Sequence, residues 1–398
     1  MNLPVNPTPI VPQAAAAPRF ALWNLGFRPF YLVASLFSAI SIALWIAQYA
    51  GYLPKAYLNG SIWHAHEMLF GYTLAVVAGF LLTAVRAWTG LDTPTGKALR
   101  ALVLLWLAGR LLVLTPYSIA AALIGAAFPV AVALAIAVPL LRSRNRRNYF
   151  FVPLLILLGA AELVMHLSYQ GRLHWPAQAS VRVGLDIVLF IVAVLSGRVI
   201  PMFTNNGVPG ASAHRNQRIE QLALALILVL LCADAFQAIP QVIVAVSIMN
   251  ALVHAARLIL WQPWKTLRTP LVWILHVAYG WIVIYFVLRA FAAAGLVADL
   301  FATHALTIGA IGSMTMGMMM RTSRGHTGRP LAVNGIEISC FVLIQMAVIV
   351  RVVGGILLPA EYTATVILSG ILWALAFSIF ALCYWPILSR VRIDGKAG

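Results

Sequence analysis

Carboxylates and thiols are scarce in this chain of 398 residues. Asp and Glu total ten against 27 Lys and Arg, and there are three cysteines. So few hard oxygen donors and thiolates argue against calcium sites and iron–sulfur clusters. Cys232, Cys340 and Cys383 all fall inside apolar stretches and form no C-x-x-C pair or Cys/His group, which argues against a disulfide framework or a thiolate zinc site. Charged residues make up 9% of the chain, where a soluble domain carries about 25%. There is no low-complexity insert, no stretch that reads as a soluble domain and no convincing internal repeat. An inverted repeat can hide in a single sequence, so its absence leaves a transporter open. Residues 1–18 are rich in Pro and Ala and place no charge ahead of an apolar core. They read as a flexible cytoplasmic tail rather than a cleaved signal peptide.

What the chain has is apolar length. Hydrophobic residues are 62% of it. Apolar runs at 30–50, 63–87, 98–115, 118–141, 150–170, 180–203, 217–236, 238–260, 270–294, 300–320, 333–357 and 361–389 predict twelve helices. About 20 apolar residues in helix cross a hydrocarbon core. Continuous runs, without the two-residue alternation of a barrel strand, select helices over a β-barrel. The expected architecture is therefore all-α: a polytopic membrane protein with twelve transmembrane helices in one bundle. Residues 1–29 form its N-terminal cytoplasmic segment, 30–389 the membrane domain and 390–398 a short cytoplasmic tail. Pro54, Pro94, Pro116, Pro176, Pro209, Pro240, Pro270, Pro330 and Pro359 punctuate the connections.

The net charge of +17 invites a nucleic-acid reading, which the distribution answers. Assigned to their nearest connections, 21 of the 27 Lys and Arg fall at the termini and after the even-numbered spans, and six after the odd-numbered ones. The positive-inside rule puts the first set, with both termini, in the cytoplasm. The cluster Arg142, Arg144, Arg146 and Arg147 is the strongest marker. It reads as a topology signal beside anionic membrane lipid rather than a nucleic-acid site.

Ionisable groups within spans are costly and point to function. His64 and His66 open the second span, His166 lies late in the fifth and His304 opens the tenth, all at the outer end. Three distant helices thus bring imidazole to one depth, a pattern that suits iron, copper or zinc. The competing reading is that each ring merely satisfies a helix end or interfacial water. In W-H-A-H-E at 63–67, His64 and Glu67 share a helical face while His66 points about 200° away from His64, so one ion is not expected to take both. Glu67 can orient an imidazole, ligate, handle protons or simply favour the helix start. Glu162 and His166 stack four residues apart. Glu162 and Asp186 are, with Glu67, the candidate proton carriers, and His276 with His254 a candidate inner metal site. Arg198 and Glu337 read as anchors near the inner surface. Gly71, Ala75 and Gly79 form one small-residue stripe, and Ala305, Gly309, Ser313 and Gly317 another. Either close helix packing or a flat macrocycle fits such a stripe. Consecutive methionines at 318–320 face different ways and read mostly as packing. Arg321, Arg324, His326 and Arg329 crowd the inner end of the tenth span, as a topology signal or as partners of a carboxylate such as a haem propionate.

The chain resembles the NnrS family of bacterial membrane proteins. The resemblance rests on G-F-R-P-F at 26–30, W-H-A-H-E-M-L-F-G-Y at 63–72, A-G-F-L-L-T-A at 78–84, W-T-G at 88–90 and W-L-A-G-R at 106–110. It continues through G-R-V-I-P-M-F-T at 197–204, H-A-L-T-I-G-A-I-G at 304–312 and R-G-H-T-G-R-P-L at 324–331. It implies a twelve-helix protein of the bacterial inner membrane, with haem b and copper, linked to tolerance of nitric oxide in denitrification or nitrosative stress. His64, His66, Glu67, His304 and His326 stand in its hallmark segments. The expected function is binding or reductive removal of nitric oxide, through histidine-ligated metal near the periplasmic side, by an oxidoreductase or a binding protein. Cofactor-binding candidates are His64, His66, His304, His326, Arg321 and Arg324; metal candidates are His64, His66, His166, His304 and His276. A twelve-helix transporter of a metal or metal complex is the alternative, and a scaffold that delivers haem or metal a third. Neither the electron donor nor the oligomeric state is legible.

Overall fold

The structure, a computed structural model, describes residues 20–52, 57, 58 and 60–395. The expected tail at 1–18, Pro54 and the last three residues of the expected C-terminal tail lie outside them. Twelve helical rods run in chain order: α1 Phe27–Tyr49, α2 Gly60–Thr89, α3 Gly96–Leu112, α4 Ser118–Arg142, α5 Phe151–Tyr169, α6 Ala177–Gly207, α7 Gln217–Ala235, α8 Pro240–Leu260, α9 Pro270–Ala293, α10 299–326, α11 Gly335–Leu357 and α12 Tyr362–Ser389. Among the described residues there is no strand, only an isolated bridge between Phe20 and Arg390.

Local chemistry sets the ends of the rods. Pro240 and Pro270 occupy the first turns of α8 and α9, where a missing N–H costs nothing. Gly90 stops α2 in the left-handed region at φ 69°. The Asn216 side chain accepts the Arg218 and Ile219 amides at the start of α7. Asn334 and Glu337 form a reciprocal capping box on α11.

Among the described residues nine helices are long and apolar enough to cross a membrane, and the chain is a multi-pass membrane protein. The other three rods are α3, α7 and α10. Helix α3 has 17 residues and includes Lys97, Arg100 and Arg110. Helix α7 includes Arg218, Glu220 and Asp234. Helix α10 dilutes its apolar residues with His, Thr, Ser and Gly.

Most sequence neighbours pack as pairs, α2 packs on α1 and α4 rather than on α3, and α1 closes against α12. Helix α2 is the most enveloped: 83% of its apolar window is buried, against 44% for α1 and 39% for α12. The chain ends are sutured at one end of the bundle. Ala21 N donates to Ser389 O at 2.7 Å. The Arg28 guanidinium donates to the carbonyls of Leu388 and Arg390 at 2.9 and 2.7 Å. This end is called the terminal end below, and its opposite the far end.

The small-residue stripes serve helix packing, not a macrocycle. A Cβ on Gly79 would lie 2.8 Å from Phe30 Cβ, and one on Gly309 would lie 2.5 Å from Trp281. Met314, Met316, Met319 and Met320 are buried in the core, as the packing reading expects.

Three rods widen into π-helical turns: Glu67–Thr73 in α2, Ala305–Gly312 in α10 and Ile349–Gly354 in α11. Such turns are uncommon and cluster at functional sites. Side chains serve carbonyls in these regions. Trp106 Nε1 donates to Gly71 O at 2.9 Å, and the Thr73 hydroxyl donates to Met68 O at 2.8 Å. The Thr315 hydroxyl donates to Ile311 O at 2.7 Å and meets the Tyr72 hydroxyl at 2.5 Å, tying α10 to α2.

Candidate functional site

All three π-turns contribute walls to one cavity of about 530 Å³ at the far end. From α2 come His64 and Tyr72, from α10 His304 and Thr307, from α11 Arg351, and from α1 Trp45. The His64 and His304 rings are nearly parallel, at 11°, with centroids 6.4 Å apart. Trp45 stacks on His64 at 5.0 Å. His304 Nδ1 donates to Leu300 O at 2.7 Å, which fixes the ring and leaves Nε2 free. Metal-binding histidines commonly anchor their second nitrogen in this way.

A second constellation lies on the other side of α2. His66 Nδ1 is 2.6 Å from Glu67 Oε1, and its Nε2 is 3.2 Å from Glu162 Oε1 and 3.1 Å from His166 Nε2. The Tyr57 hydroxyl bonds His166 Nδ1. Arg110, on α3, donates to Glu67 Oε1 at 2.9 Å and to Glu162 Oε1 at 3.2 Å. All four acid and imidazole side chains are buried. Two carboxylates against one guanidinium leave one negative charge for a cation or proton. His66, Glu162 and His166 offer ligand atoms that all lie within 4.8 Å of one another. A tetrahedral ion with bonds of 2.0–2.1 Å wants donors about 3.3 Å apart, close to the 3.1 and 3.2 Å separations found. Glu162 Oε2 is buried and has no hydrogen-bond partner. The donor set and the orphaned oxygen thus fit a metal. Gly125 makes the space: a Cβ there would stand 2.3 Å from Glu162 Oε1.

The histidines therefore reach one end of the bundle, as their depth implied, but they pair rather than converge. His304 meets His64 and His166 meets His66, because α10 and α5 contribute to opposite sides of α2. His64 and His66 diverge as their spacing requires. The expected shared face of His64 and Glu67 is corrected: Glu67 turns to His66 and Arg110, where the winding loosens into the π-turn. Glu162 and His166 do act as a pair, both against His66.

The remaining expected site residues lie elsewhere. Asp186 on α6 is buried beside Asp234, with neither of its oxygens served by an N–H or hydroxyl donor. Asp234 pairs with Arg289 at 2.5 Å, and Asp299 with Arg289 and Arg182 at 2.7 and 2.6 Å. His276 contacts Val272 O, Trp261 O and the Thr204 hydroxyl at 3.0–3.3 Å. His254 contacts the Tyr279 hydroxyl at 2.6 Å. Among the described residues these two rings share no group of metal-ligating side chains. His326, Arg321 and Arg324 sit about 20 residues along α10 from His304, roughly 30 Å at 1.5 Å per residue. Arg324 is bound by Glu337 at 2.6 and 2.7 Å. Arg321 lies 3.7 Å over the Phe203 ring, and His326 packs on Phe27. No single group can therefore touch all six expected cofactor residues.

Sequence reasoning passed over Arg110, Arg182, Arg289 and Arg351. It counted them as charges of the outer connections, although each lies within a helical rod. The signal was available: an arginine inside an apolar run needs a partner. Tyr57 and Trp45 carried no signal that set them apart from other aromatics.

Residues 21–392, nearly the whole chain, match the family model described as NnrS protein. No curated protein matches the chain. The chain belongs to the NnrS family.

Proposed function

We propose, with that membership as premise, that this chain is a haem- and copper-containing protein of the bacterial inner membrane that binds nitric oxide or removes it reductively. All twelve rods would cross the bilayer, with the termini cytoplasmic and the far end periplasmic.

The observation that carries the reading is the pair of separate imidazole sites on the two sides of one π-widened helix. His64 and His304 stand with ring centroids 6.4 Å apart, facing a largely apolar cavity. These residues would hold a haem, whose iron imidazole suits. His66, His166 and Glu162 fit copper, which imidazole suits. Haem iron would supply the atom that takes nitric oxide and copper a second redox-active centre.

The chain's own residues then have definable tasks. Leu300 O holds the His304 tautomer, and Trp45 fixes the plane of His64. The apolar lining excludes water while admitting a small apolar gas from the bilayer. Glu67 and Glu162, held by Arg110, can store and pass a proton at their carboxylate oxygens beside the second site. Reduction also consumes electrons, which must come from a donor outside this chain.

The test is one purified sample, prepared with adequate haem supply, examined oxidised, reduced and with nitric oxide added. A Soret band that shifts with nitric oxide, together with stoichiometric iron and copper, is expected. Protein free of both metals and silent to nitric oxide would overturn the reading. Counterflow of a metal complex in proteoliposomes without bound haem would favour transport instead.

A further inference from the structure

We propose that Arg351 is an anion receptor of the far-end cavity, and that the cavity's occupant brings it a carboxylate. The claim rests on the reading that the cavity holds a flat prosthetic group, and deepens it.

The argument is one of charge balance. All ten Asp and Glu of the sequence are among the described residues. Eight are engaged by arginines: Glu67 and Glu162 by Arg110, Asp92 by Arg86, Glu220 by Arg257, Asp234 by Arg289, Asp299 by Arg182 and Arg289, Glu337 by Arg324, and Asp394 by Arg392. Neither of the other two, Asp186 and Glu361, forms an ion pair with Arg351. Yet Arg351 is 8% exposed and lines the cavity. Its Nη2 donates to the Tyr362 hydroxyl at 2.7 Å, and its guanidinium lies 4.9 Å over the Tyr362 ring. Its Nη1 is buried with no hydrogen-bond partner among the described residues.

A buried guanidinium without a counter-charge is expensive, and protein folds rarely retain one without use. The π-turn Ile349–Gly354 and Tyr362 hold this one in place. It lies within Coulombic reach of both His64 and His304, so an anion there sits beside the same occupant as the two rings. Arginine takes a carboxylate bidentately through nitrogens of this fork. A free small oxyanion would use the same donors, and the experiment separates the two sources.

The probes are metal-free protoporphyrin IX and its dimethyl ester, which differ in whether the propionates are charged and need no metal ligand. Binding is read by quenching of tryptophan fluorescence in full-length protein from haem-starved cells, because Trp45 and Trp373 line the cavity. The wild type should bind the diacid roughly tenfold or more tightly than the diester. Arg351→Gln should erase that preference and Arg351→Lys keep part of it. Thermal unfolding checks each variant, and the lysine variant decides if the glutamine one does not accumulate. A preference undiminished in the variant overturns the proposal. Equal binding of both porphyrins, with an acetate response that needs Arg351, assigns the receptor to a free anion. If neither porphyrin binds, the prosthetic-group reading fails. The acetate titration then decides alone: an Arg351-dependent response supports an anion receptor, and no response overturns it.

Discussion

Two buried arginines at opposite ends of the bundle, Arg257 and Arg351, are treated differently. At the terminal end, guanidinium groups close clasps. Arg257 donates through Nε and Nη2 to Glu220 at 2.8 and 2.6 Å, through Nη1 to the Tyr279 hydroxyl at 2.7 Å, and through Nη2 to Ala193 O at 3.0 Å. Arg324 is closed in the same way by Glu337, which Tyr384 also bonds at 2.5 Å. The rods that carry these clasps, α7, α8 and the start of α11, are regularly wound there. At the far end the π-turns gather, and groups are left over: Arg351 Nη1, Arg110 Nε, Glu162 Oε2 and both oxygens of Asp186 are unpartnered. Complete satisfaction fixes helices against one another. Incomplete satisfaction leaves chemistry for something that arrives. The difference belongs to particular groups rather than to whole ends: Arg329 Nη1 and His254 Nε2, toward the terminal end, are also unpartnered, and Arg289 at the far end is held by Asp234 and Asp299.

Substitutions can break this contrast, beginning with the largest effect. Glu220→Ala strands Arg257 without its carboxylate and should cost about 3–5 kcal/mol. Loss of monodisperse protein in gel filtration is the readout, with metal per folded molecule unchanged. Gly197→Ala comes next. Its Cβ would fall 1.8 Å from Arg257 Nη2, inside a clasp that cannot give way, for about 1–3 kcal/mol of overpacking. Thermal unfolding should show it. Gly125→Ala is the far-end counterpart. Its Cβ would stand 2.3 Å from Glu162 Oε1, whose carboxylate keeps one oxygen without a partner, so stability should fall by less than for Gly197→Ala while copper content falls. Equal unfolding temperatures for the two glycine variants would erase the distinction. Asp186→Asn should alter stability least, by less than about 1 kcal/mol, because no N–H or hydroxyl donor serves its oxygens. Slower proton-coupled turnover at unchanged metal content would mark Asp186 as a carrier, and unchanged turnover would remove it from that role.

The rods were legible because apolar length and punctuation are local. The expected 270–294 and 118–141 differ from Pro270–Ala293 and Ser118–Arg142 by one residue at an end, since Pro270 and the Arg142 cluster mark them. Histidine depth was legible for the same reason. The partition into two sites was only half legible. Two-residue spacing separated His64 from His66, but which distant helix served each depends on how the rods pack around α2. The π-turns left no mark in hydrophobic pattern, and they redirect Glu67. Arg110, Arg182, Arg289 and Arg351 were misread because assigning each basic residue to its nearest connection cannot distinguish a loop charge from one inside a rod. Apart from these four, the outer count holds Arg172, and Lys55, which lies outside the described residues.

The central claim is that α2 carries two separate metal sites, and one measurement addresses it directly: the Soret absorbance and copper content of purified wild type, His304→Ala and His166→Ala. Loss of the Soret band with copper retained in the first variant, and loss of copper with the Soret band retained in the second, is expected. If either substitution abolishes both signals in folded protein, or neither changes any, the two-site account is contradicted.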